Sequence, residues 1–393
     1  MEMNTMKNNN IIEIVFCLRA NISTGRGTEN YVLNLVKYKP EDINVLILDT
    51  DFTPVQRLSN VYVQNTISPI KRITIHRTNF ANIDNIFLRM YRLIISNPIR
   101  KDIKRLKKTE YDTYNRIRRA DVAYLFANEY SILFRGRNIP VIGSNHSDEL
   151  TMFHPKSFAS KLYSRFYIYL NFRNINGMHI FPKQKWLLPI LEKKYGMKNN
   201  FILPIGVDTN LFNPDYALHN RKLKFLFVAA LNYSKGLDII LPLIERFDNE
   251  NIEFHVAGGG PLQDMVNSNK KIIYHGVLSN NDLAILYRQC DVLIYPSHND
   301  NYPAVVLEAL SSGLYVLIGD YLKGNFDDFA NKYLEYLPMT VDAFYNKINE
   351  IIKNRTIIEH DKKEEYDFVK DNYDWAVIAP EFYREIRNIV DET

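Results

Sequence analysis

Cysteine is scarce in this sequence, and long hydrophobic runs are absent from it. Cys17 and Cys290 are the two cysteines in 393 residues, and their separation argues against a disulfide framework and favours a reducing compartment. No apolar run reaches the roughly 18 residues that a membrane-spanning helix needs. The polar residues 4–10 lack the basic and apolar regions of a signal peptide. These absences predict a cytoplasmic protein without a membrane-spanning segment.

The remaining composition is typical of a globular protein with more than one domain. Hydrophobic residues make up 46% of the chain, and no segment has the composition of a disordered region. The chain exceeds the roughly 250–300 residues beyond which one core usually splits into several. Turn residues cluster at 204–214, so the sequence predicts two domains, residues 1–203 and 204–374.

The net charge of +4 hides an asymmetry between the two halves. Residues 1–200 hold 31 Lys and Arg against 16 Asp and Glu, and residues 201–393 hold 18 against 29. This split indicates that the first half faces something anionic, such as a membrane, a nucleic acid or an acidic acceptor. Drift in surface charge is the alternative.

Hydrophobic patterns alternate between strand and helix along the whole chain. Predicted strands lie at 11–18, 45–48, 122–126, 141–143, 178–181, 225–229, 254–257, 272–275, 292–295 and 315–318. Predicted helices lie at 29–36, 236–247, 281–289, 305–310 and 375–390, and residues 86–119 are predicted to be mostly helical. The alternation predicts an α/β fold with doubly wound parallel sheets, whose ligands bind at the carboxyl ends of the strands.

Residues 296–313 are the most informative segment. They follow the predicted strand 292–295 and run through the predicted helix 305–310. Seven residues separate Asp300 in the loop from Glu308 in the helix. The amides at the start of that helix would form a phosphate site.

This segment resembles the donor-sugar motif of retaining GT-B glycosyltransferases, particularly family 4 (glycosyl transferases group 1). The family motif has two glutamates separated by seven residues, and Asp300 stands at the first position. Ala230 stands where the family has an arginine, and Ile205 where it has an asparagine. Five other segments match in family order: Pro204 to Asp208, Phe227 to Gly236, Ala257 to Leu262, His275 to Val277, and Tyr287 to Ser297.

The resemblance implies the GT-B fold, with two Rossmann-like domains facing each other across a cleft. The first domain would bind the acceptor and the second the nucleotide sugar, and a C-terminal helix, 375–393, would cross back onto the first. The implied reaction moves a sugar from a nucleotide diphosphate to an acceptor hydroxyl with retention. It would serve the synthesis of cell-surface polysaccharide, lipopolysaccharide or glycolipid.

Roles in the second domain follow from the same resemblance. Asp300 would be catalytic, binding sugar hydroxyls and supporting an oxocarbenium-like transition state. Lys235 would hold the donor diphosphate, and Glu308 would accept hydrogen bonds from the ribose hydroxyls. The other implied donor-binding residues are Asn301, Tyr302, Pro303, Ala304, Val305 and Val277. Alternatively, Asp300 and Lys235 are solvated loop residues, and Glu308 is a first-turn carboxylate stabilised by the helix dipole.

The first domain matches the family in fewer places. Residues 25–29 resemble the glycine-rich loop that opens the first helix, with Gly25 and Gly27 near the donor and Arg26 and Glu29 on the acceptor side. Arg26 is our candidate to replace the arginine missing at position 230. His146 resembles the cleft-facing catalytic histidine of the family. An ordinary tight turn and a surface histidine are the alternatives.

The sequence gives no sign of a metal site, and it contains a basic cluster that suits a membrane surface. The nine histidines do not pair with carboxylates at metal-ligand spacing, and the family is typically metal-independent, so we expect no cofactor. Basic residues cluster in the predicted helical region. Five of them are predicted to contact a membrane surface: Arg100, Lys101, Lys104, Arg105 and Lys108. A basic face beside apolar residues suits anionic lipid. We therefore expect a saccharide or lipid-linked acceptor and peripheral attachment to the inner face of the membrane, with a solvated helix face as the alternative.

Four other classes of protein are compared with the sequence. A catalytically inactive GT-B protein acting as a binding or scaffold subunit is favoured by Ala230, Asp300 and Ile205. A nicotinamide-dependent dehydrogenase is excluded because the Gly25 and Gly27 loop lacks a third glycine. No nucleic-acid-binding module accompanies the basic face. Sugar phosphorylases and epimerases share the fold and are further alternatives.

Overall fold

The computed structural model of the protein describes residues 11–18, 27–50, 71–75, 98–109, 111–145, 161–162, 165–166, 169, 172–216, 222–248 and 251–393. The chain divides into two compact units. Unit 1 comprises residues 1–203 and 379–393, and unit 2 comprises residues 204–378.

Within its described residues, unit 1 is built on a seven-stranded parallel sheet. The strands are β1 (Ile12–Cys17), β2 (Ile43–Thr50), β3 (Lys71–Ile75), β4 (Val122–Leu125), β5 (Val141–Ser144), β6 (Gly177–Ile180) and β7 (Phe201–Ile202), in the order β3-β2-β1-β4-β5-β6-β7. The helices are α1 (Gly27–Lys37), α2 (Pro98–Thr109), α3 (Tyr111–Arg119) and α4 (Leu188–Tyr195).

Unit 2 repeats the architecture with a six-stranded parallel sheet. The strands are β8 (Leu223–Val228), β9 (Ile252–Ala257), β10 (Ile272–Tyr274), β11 (Val292–Tyr295), β12 (Tyr315–Gly319) and β13 (Leu334–Leu337), in the order β10-β9-β8-β11-β12-β13. The helices are α5 (Leu237–Glu245), α6 (Gln263–Asn267), α7 (Asn280–Gln289), α8 (Ala304–Ser311), α9 (Val341–Lys353) and α10 (Lys362–Tyr373).

A last helix, α11 (Trp375–Asp391), contributes residues to both units. Within unit 1 the Tyr383 hydroxyl donates to the Leu35 carbonyl at 2.8 Å. The Arg387 guanidinium donates to Asp42 at 2.7 and 2.9 Å. A buried hydroxyl and a two-point ion pair therefore fix the end of α11 on unit 1.

The central strands of both sheets are buried on both faces. Every residue of β4 and of β11 is buried, which is why these segments are continuous apolar runs rather than alternating ones. In unit 2 the rings of Phe225 and Phe254 stack at 5.4 Å between β8 and β9. Such runs made the strands readable from sequence.

The predicted α/β class with doubly wound parallel sheets is confirmed. The strand order reverses at β1 and β4 in unit 1 and at β8 and β11 in unit 2, and ligands of such sheets bind at the carboxyl ends beside the reversal. The sequence patterns missed β3, β7 and β13. Strand β7 has two residues, and β13 reads Leu-Glu-Tyr-Leu at an edge of its sheet, so both carry a weak apolar signal.

The predicted helical region 86–119 contains α2 and α3, and residues 86–97 lie outside the described residues. Across the described ranges, no helix combines the length and hydrophobicity that crossing a bilayer requires.

Candidate functional site

Two loops of unit 2 lie together at the carboxyl ends of β8 and β11. Gly236 has φ +93°, and a Cβ at that position would lie 2.1 Å from the carbonyl oxygen of Pro296, so no larger residue fits. The His298 amide donates to the Ser234 carbonyl at 3.1 Å. The His298 ring bonds Asp238 of α5 at 2.8 Å. The loop after β8 is therefore held against the loop after β11.

This contact brings two of the predicted site residues together. The Lys235 ammonium lies 2.7 Å from Asp300 Oδ2 and donates to the Asn299 carbonyl at 2.9 Å. The two side chains are 24% and 20% exposed, so the ion pair faces solvent at its outer edge. A lysine has three N–H donors, and two of them serve these contacts. One donor of Lys235 stays available for a ligand.

Asp300 has two further hydrogen-bond donors that sequence reasoning missed. The Tyr295 hydroxyl donates to Oδ2 at 2.5 Å, and the Ser297 hydroxyl donates to the same atom at 3.2 Å. Burial, and then the neighbouring Asp300 charge, hold the pKa of Tyr295 well above its ordinary value, so the phenol stays protonated. A tyrosine at the carboxyl end of an apolar strand was the signal available in the sequence.

Helix α8 starts immediately after this loop. Pro303 is its N-cap residue and Ala304 its first helical residue. The first amides of a helix have no intrahelical partner and carry the positive end of the helix dipole. Ala304 and Val305 are half-buried, so solvent reaches the helix start at which we predict the phosphate site.

Glu308 is the fifth residue of α8, and the interpretation of it as a first-turn carboxylate is therefore wrong. Its Oε2 accepts a hydrogen bond from the Tyr287 hydroxyl of α7 at 3.1 Å, a partner that the sequence did not indicate. Burial raises the pKa of Glu308 to about 7, and the Tyr287 bond opposes that rise. The carboxylate therefore titrates near neutral pH.

Contacts within the protein hold two of the predicted donor-binding residues in place. Asn301 and Tyr302 are each 6% exposed. The Asn325 side chain donates to the Asn301 carbonyl, and the Tyr302 ring lies 4.6 Å from the Phe326 ring. These contacts fix the path of the loop between Asp300 and α8.

Val277 lies in the loop that follows β10, and its side chain is 59% exposed. The neighbouring backbone is fixed by the Gly258 amide, which donates to the Gly276 carbonyl at 2.7 Å. Val277 therefore presents an apolar surface to solvent, consistent with contact to a ligand.

The predicted residues of unit 1 are described in part. Gly27 begins α1, and Glu29 in its first turn is 1% exposed. Gly25, Arg26 and His146 lie outside the described residues. On α2, the three predicted basic residues whose burial is described are exposed: Lys104, Arg105 and Lys108. Arg100 and Lys101 belong to the same helix.

Unit 1 also contains a buried polar network that the sequence did not indicate. His179 lies 3.0 Å from the Leu203 carbonyl through Nε2 and 2.6 Å from the Tyr124 hydroxyl through Nδ1. A carbonyl only accepts, so Nε2 donates and Nδ1 accepts from the phenol. Burial lowers the pKa of His179 to about 4. The imidazole is therefore neutral and structural at neutral pH.

Solved structures with this architecture define its class. The chain superposes on sucrose-phosphate synthase from Thermosynechococcus elongatus with a TM-score of 0.75 at 14% identity, covering 97% of this chain and 100% of that one. It superposes on Anabaena Alr3699/HepE, solved with UDP and glucose, with a TM-score of 0.68 at 13% identity, covering 96% and 99%. The fold is therefore GT-B.

Sequence comparison adds a family match in unit 2. The model of the family Glycosyl transferases group 1 matches residues 209–368. An uncharacterized glycosyltransferase of Methanocaldococcus jannaschii is 24% identical over 211 residues, which are 48% of this chain and 53% of the relative. The Escherichia coli O-antigen chain mannosyltransferase C is 35% identical over 118 residues, which are 27% of this chain and 31% of the relative.

The chain therefore matches about half or less of the length of these curated relatives. The matched range, residues 209–368, spans Lys235, Asp300 and Glu308. Together with the fold, this match supports the interpretation of the chain as a GT-B glycosyltransferase.

Proposed function

We propose that the protein is a retaining, family 4 glycosyltransferase that transfers a hexosyl group from a nucleotide diphosphate sugar to an acceptor hydroxyl. The observation that carries this proposal is the ion pair between Lys235 and Asp300, 2.7 Å apart beside the start of α8. A cation, a carboxylate and open helix amides converge at the strand-order reversal of unit 2, where a doubly wound sheet binds its ligand.

The donor diphosphate is the first group that this arrangement suits. Negative charge accumulates on the departing diphosphate, so a site must provide positive charge and amides where it develops. The third N–H of Lys235 and the amides that begin α8 provide both. Ala230 occupies the position at which the family has an arginine. The proposal therefore relies on Lys235, in the described loops, for the positive charge at the diphosphate.

The two carboxylates suit the two ends of the donor. Asp300 Oδ1 accepts hydrogen bonds from the sugar hydroxyls, and the Asp300 charge supports positive charge at the reacting carbon. Glu308 accepts from the two neighbouring ribose hydroxyls, a pair of donors that suits a carboxylate. A pKa of about 7 means that Glu308 becomes fully ionised for this role above neutral pH.

Similar proteins support the proposed classes of donor and acceptor. Structures similar to this chain were solved with UDP-glucose, in Anabaena Alr3699/HepE, and with UDP and alpha-GlcNAc-glycerol, in Staphylococcus aureus TarM. Sequence relatives include an O-antigen chain mannosyltransferase and an alpha-galactosylglucosyldiacylglycerol synthase. We therefore propose a role in cell-surface polysaccharide, lipopolysaccharide or glycolipid synthesis, with a saccharide or lipid-linked acceptor.

Release of nucleoside diphosphate tests this proposal. Purified protein is incubated with UDP- and GDP-sugars in the presence of EDTA, because we propose that the reaction needs no metal. The wild type should release product, and Glu308→Ala should reduce the rate at least tenfold. Glu350→Ala, a change at an exposed residue of α9, is the matched control. Absence of both binding and release with every donor would overturn the proposal.

An inactive GT-B binding subunit is the second candidate. Ala230 and Asp300 favour it, since each replaces a residue that the family uses at the diphosphate or the sugar. Saturable binding of a nucleotide sugar without measurable release of the diphosphate, at any enzyme concentration, would identify this class.

We also propose that α2 binds an anionic membrane surface at the inner face of the membrane. The support is the row of exposed basic residues that includes Lys104, Arg105 and Lys108. Vesicles with anionic lipid should float the wild type, and Lys104→Glu with Lys108→Glu should abolish flotation. The same double change at Lys193 and Lys194, exposed on α4, is the control. Equal flotation on neutral vesicles would contradict the proposal.

A further inference from the structure

Within the part of the chain that the structure describes, one oxygen of Asp300 accepts every hydrogen bond made to this side chain. Lys235, Tyr295 and Ser297 donate to Oδ2 at 2.7, 2.5 and 3.2 Å. Among the described residues, none donates to Oδ1. The carboxylate is therefore held through one atom and leaves the other for a ligand.

The donors differ in how firmly they are themselves held. Tyr295 is 3% exposed and ends strand β11, which pairs with β8 and β12. Ser297 is fully buried, two residues further along. A donor on a rigid strand positions its partner more accurately than a donor on a loop. Tyr295 is therefore the group best placed to determine where Asp300 points.

We propose that Tyr295, assisted by Ser297, is a positioning residue that fixes Asp300 so that Oδ1 alone faces the sugar of the donor. The inference rests on the function proposed above and adds a specificity determinant to the same site. An aspartate is one methylene shorter than a glutamate, by about 1.5 Å along the chain. Because Oδ2 accepts hydrogen bonds from the protein, Oδ1 is the one carboxylate oxygen of Asp300 that faces the sugar. It accepts hydrogen bonds from hydroxyl groups on one edge of a neutral hexose.

The test separates binding of the sugar from binding of the nucleotide. Dissociation constants are measured by calorimetry for UDP and UDP-glucose and for GDP and GDP-mannose. The readout is the ratio of the sugar-nucleotide constant to the diphosphate constant. Tyr295→Phe should raise this ratio about tenfold, because it removes a hydrogen bond to a charged group, and should change the diphosphate constant less than twofold.

A double-mutant cycle distinguishes positioning from a packing role. In an Asp300→Ala background the same Tyr295→Phe change should alter the ratio less than twofold, because the carboxylate it positions is gone. A packing defect would alter it in both backgrounds. Tyr315→Phe, at a buried tyrosine on the neighbouring strand β12 whose hydroxyl bonds Glu335, is the matched control for loss of a buried phenol hydroxyl.

The outcomes identify which statement fails. A wild type that binds none of the four ligands would overturn the proposed function and this inference with it. Wild-type binding with an unchanged ratio in Tyr295→Phe, or an equal change in the Asp300→Ala background, would overturn the positioning role alone. The predicted pattern of one large and one small change would support it.

Discussion

The two carboxylates of the loop and helix in unit 2 lie eight positions apart and have opposite surroundings. Asp300 in the loop has a cation and two hydroxyl donors on one oxygen. Glu308 in α8 has one phenol donor, and no cation pairs with it among the described residues. Burial therefore raises the pKa of Glu308 to about 7. The protein's own donors therefore hold Asp300, whereas we propose that a ligand supplies further partners to Glu308.

Under the proposed function, the two carboxylates would respond differently to the arrival of a ligand. A group already fixed by protein donors loses little conformational freedom when a ligand arrives. Under the proposed function, the ribose hydroxyls would donate hydrogen bonds to the half-buried Glu308 and favour its charged form. We therefore expect the loop end of the proposed site to be preorganised, and the helix end to respond to pH and to nucleotide binding.

The largest expected effect comes from breaking the ion pair at the loop end. Lys235→Ala removes the cation that we place at the diphosphate and should weaken binding of UDP or GDP about 100-fold. Titration calorimetry measures the change. Lys271→Ala, which breaks an ion pair of the same 2.7 Å length with Asp248, should leave binding unchanged. Equal constants for wild type and Lys235→Ala would remove Lys235 from the site.

The next effect concerns Glu308 and the stability of the ligand-free protein. The pKa of Glu308 rises from 4.5 to about 7 on folding. The free energy of unfolding is therefore highest, with respect to this group, below pH 4.5, and it falls as the pH rises to about 7, because the buried carboxylate then carries a charge. Glu308→Gln should therefore stabilise the protein relative to wild type above pH 7, by about 2–3 kcal/mol, and by much less at pH 4.5.

Melting temperatures measured from pH 4.5 to 8.5 check this prediction. The difference between Glu308→Gln and wild type should grow across that window, while Glu350→Gln on the exposed side of α9 should give a constant difference. A difference for Glu308→Gln that does not change with pH would show that Glu308 keeps an ordinary pKa.

The fold was readable from sequence for physical reasons, and three of the residues that we propose for the site were identified there as well. Both-face burial gave β4 and β11 continuous apolar runs. The spacing of Asp300 and Glu308, with Lys235 upstream, follows a chain-local pattern that needs no three-dimensional information.

The supporting contacts were not readable, because they join residues that local patterns do not connect. Tyr287 reaches Glu308 from another helix, 21 positions away. Gly236 meets Pro296 between two loops. The use of Oδ2 rather than Oδ1 by the donors of Asp300 depends on side-chain rotamers, which the sequence does not encode locally.

The smallest expected effect comes from the donor to Glu308. The Tyr287 hydrogen bond lowers the pKa of Glu308, so Tyr287→Phe should raise that pKa by about half a unit to one unit. Since we propose that ionised Glu308 binds the ribose, nucleotide affinity should rise with pH in the wild type near 7 and in the variant at higher pH. Calorimetric titrations at several pH values measure the midpoint. An unchanged midpoint would show that Tyr287 does not tune Glu308.

One pair of variants tests most directly whether the two carboxylates bind opposite ends of a donor. Dissociation constants for UDP and UDP-glucose, or for GDP and GDP-mannose, are compared in Asp300→Ala and Glu308→Ala. We predict that Glu308→Ala weakens the diphosphate and the sugar nucleotide by the same factor of about ten, and that Asp300→Ala weakens the sugar nucleotide alone. Equal weakening of both ligands by Asp300→Ala, or no effect of Glu308→Ala on either, would contradict the account.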